Sequence, residues 1–229
     1  MVKHLACIMD GNRRWAKARG LPPWEGHRQG SKTIEHVVDF CLEKNISYLS
    51  LYAFSLENLN RTSLELNFLF SLIAQEAETV LNWALKKGVR ITFVGDSARF
   101  PSSVVPHFAS LEAKTAAETK LHVQILFCYG GRQEICRSVK EIARKVKSGE
   151  LDPEAISDTT VAEHLWTCAV PEPDLVVRTG GAQRMSNFLL YQAAYAELYF
   201  SEQFWPAITH DDLDKAVDYF YECKRNFGK

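Results

Sequence analysis

"HLACIMDGNRRWA", residues 4–16, decides how the chain reads, because a continuous apolar run breaks against an aspartate, a glycine and two arginines. A run that is apolar at consecutive positions reads as a strand covered on both faces, the habit of a parallel sheet packed between helices. Similar runs recur at 48–54, 89–95, 122–128, 174–178 and 196–200, separated by longer helical stretches. This alternation predicts an α/β fold: a single domain over residues 1–229 with a mainly parallel central β-sheet of about six strands flanked by helices. Ligands of such sheets collect at the carboxyl ends of the strands. Asp10 to Arg14 stand at such an end.

The helical stretches carry their own signals. In residues 31–45, Ile34, Val37, Val38, Cys41 and Leu42 share one helical face, and Asn45 marks a stop. The "TSLE" at 62–65 predicts a capping box, with Glu65 returning a hydrogen bond to the Thr62 amide, and the helix it opens closes at Lys86-Lys87-Gly88. Ile135, Val139, Ile142 and Val146 predict a further amphipathic helix, Thr209 with Asp212 caps a last one, and 147–158 reads as a surface loop.

Composition sets the outer limits. A chain of 229 residues that is 46% hydrophobic can bury one full core. Its net charge of -1 excludes the overall basic character of a nucleic-acid binder, so an anion site has to come from locally clustered arginines. Six cysteines, at 7, 41, 128, 136, 168 and 223, lack metal-ligand spacing and read as small buried residues of a reducing cytoplasm. No apolar run has the length of a membrane span or the form of a signal peptide, which predicts a soluble protein.

Three strand ends carry chemistry. At Asp10-Gly11-Asn12-Arg13-Arg14 the glycine allows close backbone approach, and two guanidinium groups in a first helical turn oppose the helix dipole and call for a negative partner. In "DLVVRTGGAQRMSNF", 174–188, a strand delivers Arg178, the Thr-Gly-Gly turn is expected to aim its N–H groups inward as an anion nest, and Arg184 and Ser186 follow. Alone, each segment has a plainer reading, a helix cap for the first and a tight turn with surface arginines for the second. Ser55, Glu57, Asn58 and Arg61 form the third set. Glu197 lies inside an apolar strand, where a carboxylate needs a cation; magnesium shared with Asp10 is the preferred one, since carboxylates and phosphate oxygens suit that ion. The apolar surplus of 62–87 predicts an apolar cavity beside these groups, fit for a lipid diphosphate.

"HLACIMDGNRRWAKARG", "GHRQG", "LYAFSLENLNR", "YGGR" and "DLVVRTGGAQRMSNFLLYQAAYAELYF" together resemble the cis-prenyltransferase family, and most closely its bacterial undecaprenyl diphosphate synthase branch. The resemblance runs from about residue 4 to the "KRNF" end. It implies a magnesium-dependent enzyme that condenses isopentenyl diphosphate onto an allylic diphosphate, farnesyl diphosphate, inside an apolar tunnel. The implied product is a long Z-polyprenyl diphosphate, the undecaprenyl lipid carrier of cell-wall synthesis. The implied setting is a cytoplasmic homodimer that touches the inner face of the plasma membrane transiently through its product.

The resemblance also implies roles. Asp10 would bind magnesium and help the allylic diphosphate leave, with Glu197 as the second contact to the ion. Gly11, Asn12, Arg13, Arg14, Trp15 and His27 would surround the allylic diphosphate, and Arg178, Arg184, Met185 and Ser186 the diphosphate of isopentenyl diphosphate. Asn58 would accept the proton, with Ser55, Leu56, Glu57, Leu59 and Arg61 as neighbouring substrate contacts. Departures stand at Pro23, Leu59, Gln183 and Cys128, where the family usually has an arginine, an aromatic, a histidine and an asparagine; the first removes an allylic phosphate contact and the third a magnesium contact. A shorter-chain synthase fits the same motifs. A noncatalytic partner subunit would lack Asp10 and the "RTGG" arginines, and a phosphate-ester hydrolase would need a nucleophile that the sequence does not offer.

Overall fold

The computed structural model describes residues 1–224. Six strands, β1 (His4–Ile8), β2 (Tyr48–Ser55), β3 (Val89–Val94), β4 (Leu121–Tyr129), β5 (Leu175–Arg178) and β6 (Glu197–Phe200), form one sheet in the order β3-β4-β2-β1-β5-β6. Every pairing is parallel. The helices are α1 (Asn12–Lys17), α2 (Pro23–Glu43), α3 (Ser63–Lys87), α4 (Val105–Thr115), α5 (Gly131–Ser148), α6 (Asp158–Glu163) and α7 (His210–Glu222). The order runs from β1 to β2, β4 and β3 on one side and to β5 and β6 on the other. The reversal lies at β1 and β5, which is where a doubly wound sheet opens a crevice.

Strand alternation sorts the core into two layers. Leu5, Cys7, Leu49, Leu51, Ile91, Val123 and Val177 face α2, α7 and parts of α3 and α4, through Val37, Phe40, Ala84, Leu111 and Leu213. Ala6, Ile8, Tyr52, Leu126 and Val176 face Phe188 and Leu189 on the other side. Near their carboxyl ends β2 and β4 slip register twice: Tyr52 pairs with Leu126, Phe54 with Phe127 and Ser55 with Tyr129. Cys128 takes up the second slip at φ 47°. Each extra residue reverses the side-chain alternation. As a result Phe54 and Phe127 both face α3, while Tyr52 and Tyr129 face the opposite layer.

All six strands lie within a residue or two of where the sequence puts them, and several helix details differ. α2 begins at Pro23 rather than near 31, and its Gly26 and Gly30 are sites of close approach to α1. A Cβ on Gly26 would stand 1.9 Å from the Asn12 carbonyl oxygen, and one on Gly30 would stand 2.2 Å from Asn12 Oδ1. Thr62 caps α3 through the Glu65 amide, but the Glu65 carboxylate is drawn instead to Arg61, 3.1 Å away. The Thr209–Asp212 box is reciprocal, as expected. α5 buries Gly131, Glu134, Ser138 and Ile142 and leaves Val139 exposed, so its buried stripe is partly polar. α4 and α6 are short helices without a strong sequence period. Cys7, Cys41 and Cys128 are buried as expected, whereas Cys136 and Cys168 are exposed. Among the described residues no helix is long and apolar enough to cross a membrane.

Candidate active site

Asp10 follows β1 and Arg178 ends β5, the adjacent strand, so the reversal of the sheet sets carboxylate beside guanidinium. Arg178 Nη2 donates to Asp10 Oδ2 at 2.9 Å, and Arg178 Nη1 donates to the Ser186 hydroxyl at 2.7 Å and to the Arg184 carbonyl. Asp10 Oδ1 accepts from the Gly11 amide at 2.7 Å and from Arg14 Nη2 at 3.2 Å. Burial works to raise the Asp10 pKa, but Arg178, Arg14 and the Gly11 N–H outweigh it and hold the carboxyl below its usual range. Gly11 supplies the φ of 103° at which the chain leaves β1 and enters α1, packed under Phe204.

Two cavities meet at this point and share Met9, Asp10, Asn12, His27 and Arg61. One, of about 330 Å³, runs inward between the sheet and α3, with Ile34, Tyr52, Phe54, Leu69, Leu72, Ile73, Phe127 and Trp205 among its walls and Arg178, Ser186, Ser55 and Asn58 at its mouth. The other, of about 650 Å³, is lined by Arg13, Arg14, Lys17, Gly20, Leu21 and Pro23. An apolar recess thus opens directly onto a cationic one, which is the form an amphiphile with an anionic head demands. Of the six buried side-chain polar atoms without a hydrogen-bond partner among the described residues, three stand on this wall: Asn12 Oδ1, His27 Nε2 and Arg178 Nε. Buried polar groups are otherwise almost always paired, and these three are not.

His27 is pushed down to about 4, first by burial and then by Arg61 and Arg13, against the opposing pull of Glu65. It is therefore a neutral hydrogen-bonding group at neutral pH. Glu65 stands 3.7 Å from His27 Nε2 and 4.0 Å from Arg13 Nη1, and with Arg61 it links α3 to the mouth.

The structure brings together most residues picked out in the sequence and redistributes their parts. Gly11, Asn12, Arg13, Arg14, His27, Ser55, Asn58, Arg61, Arg178 and Ser186 line the two cavities. Arg184 is exposed beside them and gives its carbonyl to Arg178. Leu56 and Leu59 pack into the aromatic cluster under α3, and Met185 into the opposite layer. Trp15 stacks beneath Arg19 at 4.3 Å, outside the cavity walls. Asn58 Oδ1 accepts from the Ser55 amide at 3.2 Å in a reciprocal turn, which commits that oxygen to structure.

One expectation needs correcting, and one predicted site residue lies apart from the rest within the chain. The Thr-Gly-Gly amides form no anion nest: Thr179 N donates to the Ile8 carbonyl, Gly180 N to Gln203 and Gly181 N to Ser201. They close the sheet instead, and side chains supply the positive charge. Glu197 begins β6, in register with Leu175, three residues before the level of Arg178, and strand spacings put it roughly 15–20 Å from Asp10. Its carboxylate engages the Cys223 thiol, so within the chain the two carboxylates do not share an ion. Among the described residues no three His, Cys, Asp or Glu groups converge as a metal cage. Asp10 is the one carboxylate among the described residues on the walls of the two cavities, and it would suit a divalent ion that also takes phosphate oxygens.

Sequence reasoning missed Asn187, at φ 66°. Its Nδ2 donates to Glu57 at 3.1 Å and to Gln133 at 3.0 Å, its Oδ1 accepts from the Arg132 amide, and its carbonyl from the Gly131 amide. It ties the Arg184–Ser186 loop to the start of α5, and the "YGGR" and "SNF" segments were its only signal. Also missed was Glu134, whose buried carboxylate accepts from Tyr129, from the Thr167 amide and hydroxyl, and from Gln192. Tyr129 in turn packs edge-on to Tyr52, and the Tyr52 hydroxyl donates to the Ser186 carbonyl at 3.4 Å.

Comparison with known proteins agrees with this geometry. The Prenyltransf family model, described as undecaprenyl diphosphate synthase, matches residues 8–228. A ditrans,polycis-undecaprenyl-diphosphate synthase ((2E,6E)-farnesyl-diphosphate specific) of Xylella fastidiosa is 40% identical over 228 residues, covering 100% of this chain and 89% of that protein. The crystal structure of lavandulyl diphosphate synthase from Lavandula x intermedia in complex with dimethylallyl diphosphate superposes with a TM-score of 0.96 at 31% identity, over 100% of this chain and 98% of that one. A probable undecaprenyl diphosphate synthase from Campylobacter jejuni superposes with a TM-score of 0.82 at 34% identity, over 100% and 99%.

Proposed function

The chain belongs to the undecaprenyl diphosphate synthase family of prenyltransferases, and on that premise we propose that it joins isopentenyl diphosphate to an allylic diphosphate with formation of a Z double bond. One observation carries the reading: the Asp10–Arg178 pair and three orphaned polar atoms stand at the mouth of an apolar recess. The allylic chain lies in that recess, its diphosphate against Arg13, Arg14 and His27. Arg178, Arg184 and Ser186 hold the diphosphate of isopentenyl diphosphate, with the alkene facing the allylic carbon. Fixing both reactants supplies the orientational part of the rate enhancement.

In each turn the allylic C–O bond breaks, a C–C bond forms to the terminal alkene carbon of isopentenyl diphosphate, the cation passes to its C3, and a proton leaves the C2 methylene to form the new C2=C3 double bond. Guanidinium groups stabilise the charge that gathers on the departing diphosphate. A magnesium ion held by Asp10 and phosphate oxygens supplies further charge neutralisation when bound. The apolar walls keep water from the cationic carbon. Asn58 is a weak base with its carbonyl oxygen already engaged, so a diphosphate oxygen takes the proton.

The undecaprenyl product expected from the sequence is the longer of two readings. The shorter is a Z-prenyl diphosphate of fewer isoprene units, and the relatives that are undecaprenyl diphosphate synthases support the longer. We place the enzyme in the cytoplasm as a homodimer that meets the membrane face when it releases product. Support for the dimer is the edge strand β6, half-exposed along its length, beside exposed Tyr195, Tyr219 and Tyr221. Incubation with farnesyl diphosphate, labelled isopentenyl diphosphate and magnesium, followed by sizing of the extracted lipid, tests the reaction. Label in lipid that depends on the allylic primer supports it, and absence of label with every primer refutes it.

A further inference from the structure

We propose that the exposed segment 17–24, with Leu64 and Phe68 of α3, seats the mouth of the site on an anionic lipid bilayer, and that this seating needs no bound product. The proposal rests on the chain-elongation reading above and names the surface at which that site meets the membrane. Segment 17–24, KARGLPPW, runs from the end of α1 to the start of α2 and is exposed at all eight residues. Leu21 and Trp24 are 41% and 40% exposed, and Leu64, in the first turn of α3, is 73% exposed. Single exposed apolar side chains are ordinary on a surface; these form a patch. Trp24 lies against Phe68 with ring centroids 6.0 Å apart, and Leu64 precedes Phe68 by one helical turn on the same face.

The same patch is cationic. Between residues 13 and 28 stand five Lys or Arg and one acid, Glu25, in a chain whose net charge is -1. Arg19 stacks over Trp15 at 4.3 Å, and Arg28 lies 5.8 Å from the Phe68 ring while its Nη1 reaches Glu25 at 2.9 Å. Apolar tips ringed by guanidinium and ammonium groups suit a headgroup layer, the tips entering the acyl boundary and the charges meeting phosphates. Glu65, the acid of the first turn of α3, is drawn inward to Arg61 and His27. Farther along, the exposed face of α3 turns to Ser71, Gln75 and Glu78, so the apolar and cationic character is confined to the end at the mouth.

Position and rigidity agree with this use. Lys17, Gly20, Leu21 and Pro23 also line the cationic cavity, so the patch is the rim of the mouth, and a bilayer seated there lies beside the opening that a lipid product leaves by. Pro22, at φ -58°, and Pro23 fix the backbone of the loop, so little conformational entropy is lost on docking. A second copy of the chain is the poorer occupant. A two-fold interface lays a patch on itself, which would set Lys17, Arg19 and Arg28 against their own copies. An anionic bilayer meets the cations and the apolar tips together.

The test is cosedimentation of the full chain, without substrates, with vesicles of phosphatidylcholine alone and of phosphatidylcholine mixed with phosphatidylglycerol, at low and high salt. Wild type, Trp24→Ser, Leu64→Ser, Arg19→Gln and the conservative Trp24→Phe are compared with Lys147→Gln and Ile156→Ser, exposed positions at and beyond the far end of α5; melting curves check that each variant folds. The expected result is binding to the phosphatidylglycerol vesicles that weakens with salt, falls about fivefold in Arg19→Gln and about tenfold in Trp24→Ser and Leu64→Ser, and is kept in Trp24→Phe and both remote variants. No binding, equal binding to both vesicle types, or equal losses in the remote variants overturns the proposal. So does self-association, read by sedimentation velocity, that Trp24→Ser and Leu64→Ser abolish, since it assigns the patch to a second copy. Incorporation of labelled isopentenyl diphosphate is read separately. Its absence beside patch-dependent vesicle binding refutes the chain-elongation reading while supporting the surface, and incorporation without vesicle binding refutes the surface alone.

Discussion

Removing the Asp10 carboxylate separates catalysis from folding. Arg178 has a side chain only 4% exposed and Asp10 one of 31%. Deleting one partner of a fully buried ion pair costs about 3–5 kcal/mol. With Asp10 a third exposed, solvent relieves part of the loss, and Asp10→Ala is expected at the low end, about 3 kcal/mol. For a domain of this size that lowers the melting temperature by roughly 6–12 °C, which a typical stability of about 5–15 kcal/mol survives. Asp10→Asn keeps an acceptor for Arg178 or the Gly11 amide and loses only the charge, so its melting temperature falls less. Chain elongation should nevertheless drop by about a hundredfold or more in both variants, because the carboxylate that would hold a cation against the departing diphosphate is gone. Initial rates of labelled isopentenyl diphosphate incorporation, read beside calorimetric melting curves, separate the two effects. An asparagine variant within about tenfold of wild-type turnover would refute the role given to Asp10.

Other perturbations have defined outcomes. Arg184→Ala removes a charge-assisted phosphate contact and should raise the KM for isopentenyl diphosphate by about 10–100-fold, with the KM for the allylic substrate little changed; steady-state kinetics in both substrates check it. Glu134→Ala strands Tyr129, Thr167 and Gln192 inside the protein and should cost at least about 3 kcal/mol, while Glu134→Gln costs less; calorimetry distinguishes them. Burial holds His4, His27 and His122 at about 4, against an ordinary value of 6.5. The unfolded chain therefore binds more protons than the folded one between these values. Stability is complete above pH 6.5 and falls steadily as the pH drops toward 4, a trend that melting curves at several pH values will display and that a flat profile would contradict.

The sheet was legible because each strand is a mainly apolar run next to a polar break, and a parallel sheet covered by helices leaves that mark. α5 was less so, since its inner face holds Glu134 and Ser138, polar residues whose burial depends on partners far along the chain. At the site, Asp10, Arg178 and Ser186 could be picked out because they stand at strand ends, where a charged group in an apolar context is conspicuous. The fate of the Thr-Gly-Gly amides was not, because their acceptors come from residues 8, 201 and 203 and only the packed sheet reveals them. Glu197 stood out as a carboxylate inside an apolar strand, and only the register with β5 shows that within the chain it lies apart from Asp10. The register slips at Ala53 and Cys128 left no trace in composition or period, so the stacking of Phe54 on Phe127 required coordinates. The aromatic and cationic end "YFYECKRNFGK", 219–229, which in the sequence argues for a homodimer, falls partly outside the described residues, which stop at 224.

The central claim is geometric: one amphiphile bridges the cationic mouth and the apolar recess. A crystal structure with a non-hydrolysable farnesyl thiodiphosphate tests it most directly. The account predicts phosphate oxygens among Asp10, Arg13, Arg14 and His27, with the hydrocarbon in the recess among Phe54, Leu69, Ile73 and Phe127. A diphosphate bound elsewhere, or a tail lying on the outer surface with the recess empty, would contradict it.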